Sequence, residues 1–312
     1  TLSAAVTLTT TSDVITFSDT VNSANSTKRN LTLTTGSSST EINFDGIVGG
    51  SNSVGAIAIT GVLDLNAAIT AATSVSVSGT SNIGADVTTT STQLYVGNLV
   101  LSAADRTLEG STVTTRGTLT GAYALTVTGN AVFGNSSGDD VVLTGTNKAL
   151  AVSGTTTIET DTVTTSGTQT YSGAVVLGRN TTLTTSGDVI TFSNTVNSAD
   201  STNRDLTVTT GGNTVHINFD GIVGGSQGVG AIALTGVLDL NAAIADANSL
   251  TVSGVSLLDA DITTSGTQTY SAAITLGTAA RTLEGSTIQT TTINGAQNLA
   301  ITGNLDLNGI IG

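Results

Sequence analysis

The sequence has no cysteine, proline, methionine or tryptophan, and a single histidine in 312 residues. Without cysteine there is no disulfide framework and no thiolate metal site. Cysteine-free chains are common among large exported proteins, so this absence points to an extracellular setting. Residue 1 is Thr rather than Met, so we read the chain as processed or cut from something longer, and no signal peptide is visible. Aromatics make up 3% and charged residues 10%, where about a quarter charged is usual. Basic residues are scarcer still: 8 Lys+Arg against 22 Asp+Glu leave a formal charge of −14. A nucleic-acid partner needs a basic footprint and an anionic lipid surface needs basic segments, so both are excluded. The acidity suits solubility and loose divalent-cation binding. Long apolar runs are missing too. The best, 229–245, is broken by Thr235, Asp239 and Asn241, which rules out a spanning helix.

What fills the space is Thr, Ser, Gly, Ala, Val, Leu and Asn, with 38% hydrophobic residues. That is enough aliphatic surface for a core and too much for a disordered chain. The chain also repeats itself. Asp13-Val14-Ile15-Thr16-Phe17-Ser18 returns as Asp188-Val189-Ile190-Thr191-Phe192-Ser193. Segment 42–50 returns at 217–225, and Arg106-Thr107-Leu108-Glu109-Gly110 returns as Arg281-Thr282-Leu283-Glu284-Gly285, each at the same offset in numbering. We therefore divide the sequence into a unit at 1–175 and a second, partial unit at 176–312, continuous with the first.

Inside the unit a shorter motif recurs: aliphatic, any, aliphatic, Ser/Thr, Gly. Examples are Ile57-Ala58-Ile59-Thr60-Gly61, Val75-Ser76-Val77-Ser78-Gly79 and Leu250-Thr251-Val252-Ser253-Gly254. Alternation of period two closed by Gly is a strand followed by a turn, and β-branched residues suit a pleated surface. A second motif, Thr-Gln-x-Tyr, ends at Tyr95, Tyr171 and Tyr270. No segment reads as a convincing helix. A propeller blade needs about forty residues and usually aromatic signatures; a solenoid needs only small inward aliphatics in each coil. The expectation is an all-β chain forming a parallel β-helix (a β-solenoid), right-handed, with two or three strands per coil and, at about 20 residues per coil, about 15 coils. Ile59, Val77, Val127, Val152, Leu234, Val252 and Ile301 should be buried.

These repeats resemble the β-strand repeats of filamentous-haemagglutinin-like and autotransporter-type surface adhesins. Segment 164–175, Thr-Thr-Ser-Gly-Thr-Gln-Thr-Tyr-Ser-Gly-Ala-Val, carries the likeness best, as does 263–274. The resemblance implies a right-handed β-helix, export as a long polypeptide, and attachment or scaffolding. The secretion domains of such proteins are not in this sequence.

Candidate site residues are few. His216 lies between Val215 and Ile217, so alternation turns it outward, and its counterpart in the first unit is Glu41. Asp64 and Asp239 point outward between leucines; Asp45 and Asp220 precede Gly in turns, where Asp commonly bonds its own backbone. Paired carboxylates for glycoside cleavage would need a second acid about 5–9 Å away in a groove. β-Helical polysaccharide-cleaving enzymes use clustered Asp with Ca²⁺ and a basic residue, which the 8 scattered Lys and Arg do not offer. We therefore expect no catalytic residues and no cofactor. The densest acidic turn, Asp139-Asp140, is the candidate for a structural Ca²⁺, which takes six to eight oxygens. The Gly-rich stretches at 49–55 and 224–230 read as turns, since no helix follows to bind phosphate. Arg106 with Glu109, and Arg281 with Glu284, read as surface ion pairs. Gln93/Tyr95, Gln169/Tyr171 and Gln268/Tyr270 each share a strand face, as side-chain ladders or as a carbohydrate-stacking platform. Sequons stand at Asn25, Asn30, Asn135 and Asn180.

The function expected is a structural or adhesive segment of a long extracellular fibre, a non-enzymatic stalk. Its partners would be further copies of itself stacked end to end or flanking repeats of the same chain, since neither end of the sequence reads as a polar cap, and host or neighbouring-cell glycans. The alternatives are an ice- or glycan-binding solenoid, in which Thr-x-Thr segments such as Thr7-Leu8-Thr9 would line a flat face, and a polysaccharide-degrading enzyme.

Overall fold

A computed structural model describes residues 1–37 and 39–312. Among these, every regular element is a strand and no helix occurs. The strands pair in parallel and stack in coils, forming a β-solenoid of about 13 turns. The count is lower than expected because long turns enlarge several coils. Two compact units emerge, Thr1–Gly154 and Thr155–Gly312, a division distinct from the repeat in the sequence.

The simplest coil has three faces. Strand ends at Val75–Val77, Ser81–Ile83 and Val87–Thr89 follow one another, and the next coil begins at Gln93, paired with Val75. Each face is thus a short strand and an equally short corner, and inward-outward-inward burial repeats along these strands. Successive coils in the first unit pair Val6 with Leu31, Leu31 with Ile57, Ile57 with Val75, Val75 with Gln93 and Gln93 with Val113. The second unit pairs Thr181 with Leu206, Leu206 with Ile232, Ile232 with Leu250, Leu250 with Gln268 and Gln268 with Ile288. Pair for pair these stand at the offset of the sequence repeat, which is therefore also a repeat of register. The longer coils of the first unit are those opening at Val6, Leu31 and Leu125; their surplus sits in turns such as 45–53 and 134–140.

The core is a narrow column of aliphatic side chains. Ile59, Val77, Val127, Val152, Leu234 and Val252 are buried as the alternation requires. Ile301 is only half-buried, because the coil it belongs to packs on one side alone. Register also stacks the few aromatics. Phe17 lies over Phe44 at 5.0 Å, and Tyr171, Phe192 and Phe219 form a three-ring stack with centroids 5.5 and 4.8 Å apart.

Corners are tied from coil to coil by Asn and Asp. Asn30 Oδ1 accepts the Ala56 N–H at 2.9 Å, and Asp205 Oδ1 accepts that of Ala231 at 2.7 Å. Asp86 holds Thr107 at 2.9 Å, Asp261 holds Thr282 at 2.8 Å, and Asn98 holds Thr118 at 3.2 Å. Corner N–H groups have no strand partner, and a short side chain from the coil before supplies the acceptor. Much of the acidity is explained this way: Asp serves here as a backbone acceptor. Asp105 accepts both Lys148 Nζ at 2.8 Å and the Ala124 N–H at 2.9 Å, and these contacts, Lys148 first, hold its carboxyl below the usual range.

Candidate functional site

The singled-out side chains do not converge. His216 is outward and half-exposed, 3.3 Å from Asp239 Oδ2. Asp239 lies one coil on, its neighbour Leu238 paired with Ile217. The Asp-Gly turns differ from expectation: Asp45 and Asp220 do not bond their own backbone but accept from Asn66 and Asn241 at 2.9 and 2.8 Å, side chains one coil further on. Arg106 and Arg281 also differ. Residues three apart on a strand point to opposite faces, so neither meets its Glu; Arg106 pairs with Asp86 and Arg281 with Asp259, each at 3.7 Å. Asp139 Oδ2 accepts the Asn135 N–H at 3.0 Å and the Ser136 hydroxyl at 2.9 Å, which closes their own turn, with Asp140 next to it. Among the described residues no three His, Cys, Asp or Glu side chains gather as a metal site. Of the sequons, Asn30 and Asn180 are committed to the coil after them, while Asn25 caps its own turn at Thr27.

The Thr-Gln-x-Tyr segments point inward, which corrects the idea of a carbohydrate platform: Tyr95, Tyr171 and Tyr270 are buried, and so are Gln93, Gln169 and Gln268. The geometry recurs three times. Gln93 Nε2 donates to the Val87 carbonyl at 3.0 Å and to the Glu109 carbonyl of the next coil at 2.7 Å, and Gln93 Oε1 accepts the Tyr95 hydroxyl at 2.9 Å. Gln169 serves Val163, Thr184 and Tyr171 in the same way. Gln268 serves Ile262, Glu284 and Tyr270. The full signature is Val/Ile-Thr-Thr-x-x-Thr-Gln-x-Tyr, with the second Thr also facing the amide at 3.3–3.4 Å. Burial pushes all three phenols far above their ordinary value. A phenol with a raised folded pKa stabilises fully below its unfolded value, about 10, and loses that contribution as pH rises beyond it. We expect stability to fall steeply above about pH 10, with tyrosinate absorbance at 295 nm appearing together with unfolding. In a Tyr123→Phe variant, which leaves only the three buried tyrosines, absorbance rising well before the loss of β-structure would contradict buried phenols.

One surface feature collects polar groups. A groove of about 550 Å³ on the second unit is lined by Arg179, Arg204, Asp161 and Asp205 along one side. Its floor holds Thr162, Thr182 and Thr207, which pair in register across three coils. Thr164, Thr184 and Thr209 form a second rank beside them. Thr-x-Thr is therefore kept at one coil position for three coils, which alternation alone did not reveal. The first rank stops where Ala233 follows Thr207, too short for an extended flat ice-binding face. Asn180 and Asp205 hold each other: Asn180 Oδ1 accepts the Asp205 N–H at 3.0 Å, and Asn180 Nδ2 donates to Asp205 Oδ2 at 3.4 Å. This bracket sets the preceding residues, Arg179 and Arg204, side by side on adjacent coils. Arg204 reaches Asp200 at 3.4 Å. Arg179 makes no ion pair among the described residues, and the Nε atoms of both are buried without a partner. Compared with family models, curated proteins and solved structures, the chain finds no match.

Proposed function

We propose that the chain is a non-enzymatic scaffold: a rigid, repetitive segment of a long extracellular surface fibre or adhesin. The observation that carries the reading is the cross-coil bracketing, repeated at the same offsets in each unit. Asn22 and its repeat counterpart Asn197 each receive two N–H groups from the coil after, at 2.9–3.3 Å. A protein selected for one reaction concentrates its polar groups at one place; here they are spread coil by coil and hold coils together. Stability in such arrays is a sum over neighbouring coils, which favours length and stiffness. We propose as the chain's partners further repeats of the same kind, stacked coil on coil. Immunogold labelling of intact cells that make the protein should decorate filaments outside the envelope. Label confined to the cell interior would overturn the reading.

A further inference from the structure

From the groove of the second unit we infer a binding site for an acidic glycan, a sugar chain bearing carboxylates. A stalk needs no ligand, so this goes beyond the scaffold reading and can fail without it. In a chain with 8 basic residues and a charge of −14, acidic partners are abundant, yet Arg179 has none, although its Nε is withdrawn from water. A buried donor left unmet is costly, and arginine's planar fork suits a carboxylate in two-point contact. Arg204, set beside it by the Asn180–Asp205 bracket, has an unmet Nε as well.

The remaining lining defines the ligand. Asp161 and the hydroxyls of Thr162, Thr182 and Thr207 are partners for sugar hydroxyl groups. Carboxylates among the guanidinium groups repel a small, highly charged anion such as sulfate, whereas a uronate spreads one negative charge and several hydroxyls over one ring. The threonine rank repeats at the coil spacing, about 4.8 Å, close to the length of one pyranose ring, so a chain lying along the coils meets the same floor at every step. The sequence repeat supplies an internal contrast: Arg179 and Asn180 correspond to Ala4 and Ala5, so the first copy keeps Arg29, the counterpart of Arg204 with an unmet Nε of its own, but lacks the second guanidinium and the bracket.

Calorimetric titration of the whole chain with trigalacturonate tests this, with neutral cellotriose and inorganic sulfate as comparisons. Trigalacturonate should bind, at least tenfold more weakly to Arg179→Ala, and severalfold more weakly to Arg179→Lys, which keeps the charge and loses the fork. Arg116→Ala, the same charge change at an exposed arginine of the first unit, should bind as the parent does. Circular dichroism checks that the variants fold, and Arg179→Lys carries the test should Arg179→Ala not. No binding by the parent, equal binding of cellotriose or sulfate, or equal weakening in Arg116→Ala would overturn the site.

Discussion

Replacing Phe192 by Ala is expected to destabilise the second unit by about 3–5 kcal/mol, the range for deleting a buried phenyl ring. Phe192 is fully buried, with Tyr171 on one side and Phe219 on the other, and the planes are within 13° and 5° of parallel. Removing it therefore opens a gap between two rings that register holds in place and that cannot close up, because each is fixed by its own coil. Two stacking contacts of about 0.5–1.5 kcal/mol each are lost together. Phe17→Ala, at the matching position of the first repeat, is the internal comparison. Phe17 has one stacked neighbour, Phe44, and is only half-buried, so its loss should cost clearly less. Urea unfolding gives the total, and hydrogen exchange of the Tyr171, Phe192 and Phe219 amides gives the location, since coils depend mainly on their neighbours. Equal costs for the two substitutions would show that the three-ring stack adds nothing beyond the burial of one ring.

The fold was legible because its signal is local. Period-two alternation closed by Gly marks strand ends such as Val75–Val77 and Leu250–Val252, and parallel stacking follows once many such strands must share a narrow core. Position 61 shows why Gly closes them: Gly61 has φ +145, and a Cβ there would meet Thr35 Oγ1 at 2.3 Å. What the sequence hid depends on neighbours a whole coil away along the chain. Gln93 reads as outward because amides are usually solvated, yet its acceptor, the Glu109 carbonyl, reaches it only when the next coil lies above. The same holds for Asp45, read as capping its own turn and found holding Asn66. The threefold recurrence of Thr-Thr before Thr-Gln-x-Tyr was the available clue, since a surface ladder needs no particular residue six and four positions upstream. The groove had no such clue: Arg179 and Arg204 are far apart in the chain, and only the register of Thr181 with Leu206 makes them neighbours.

The inward amides carry the other large effect. Gln268→Leu keeps approximate volume but removes both halves of the amide. The Tyr270 hydroxyl loses its acceptor at 2.8 Å, and the Glu284 carbonyl loses its nearer donor at 2.7 Å, keeping Thr264 Oγ1 at 3.4 Å. The orphaned hydroxyl costs about 1–3 kcal/mol and the lost bond to the carbonyl about 1 kcal/mol more, so the substitution should cost about 2–4 kcal/mol in all. Tyr270→Phe removes the hydroxyl alone and leaves Gln268 Oε1 unmet, for about 1–3 kcal/mol. In the double variant neither end of the Tyr–Gln bond remains to be orphaned, so its cost should fall short of the sum by about 1–2 kcal/mol. What stays is the penalty at the Glu284 carbonyl, which belongs to the coil after. Denaturant unfolding of the four proteins closes the cycle. Additivity within about 0.5 kcal/mol would mean that hydroxyl and amide do not depend on each other. The Gln would then act only as a tie between coils, and Tyr270→Phe should leave exchange at the Glu284 corner unchanged.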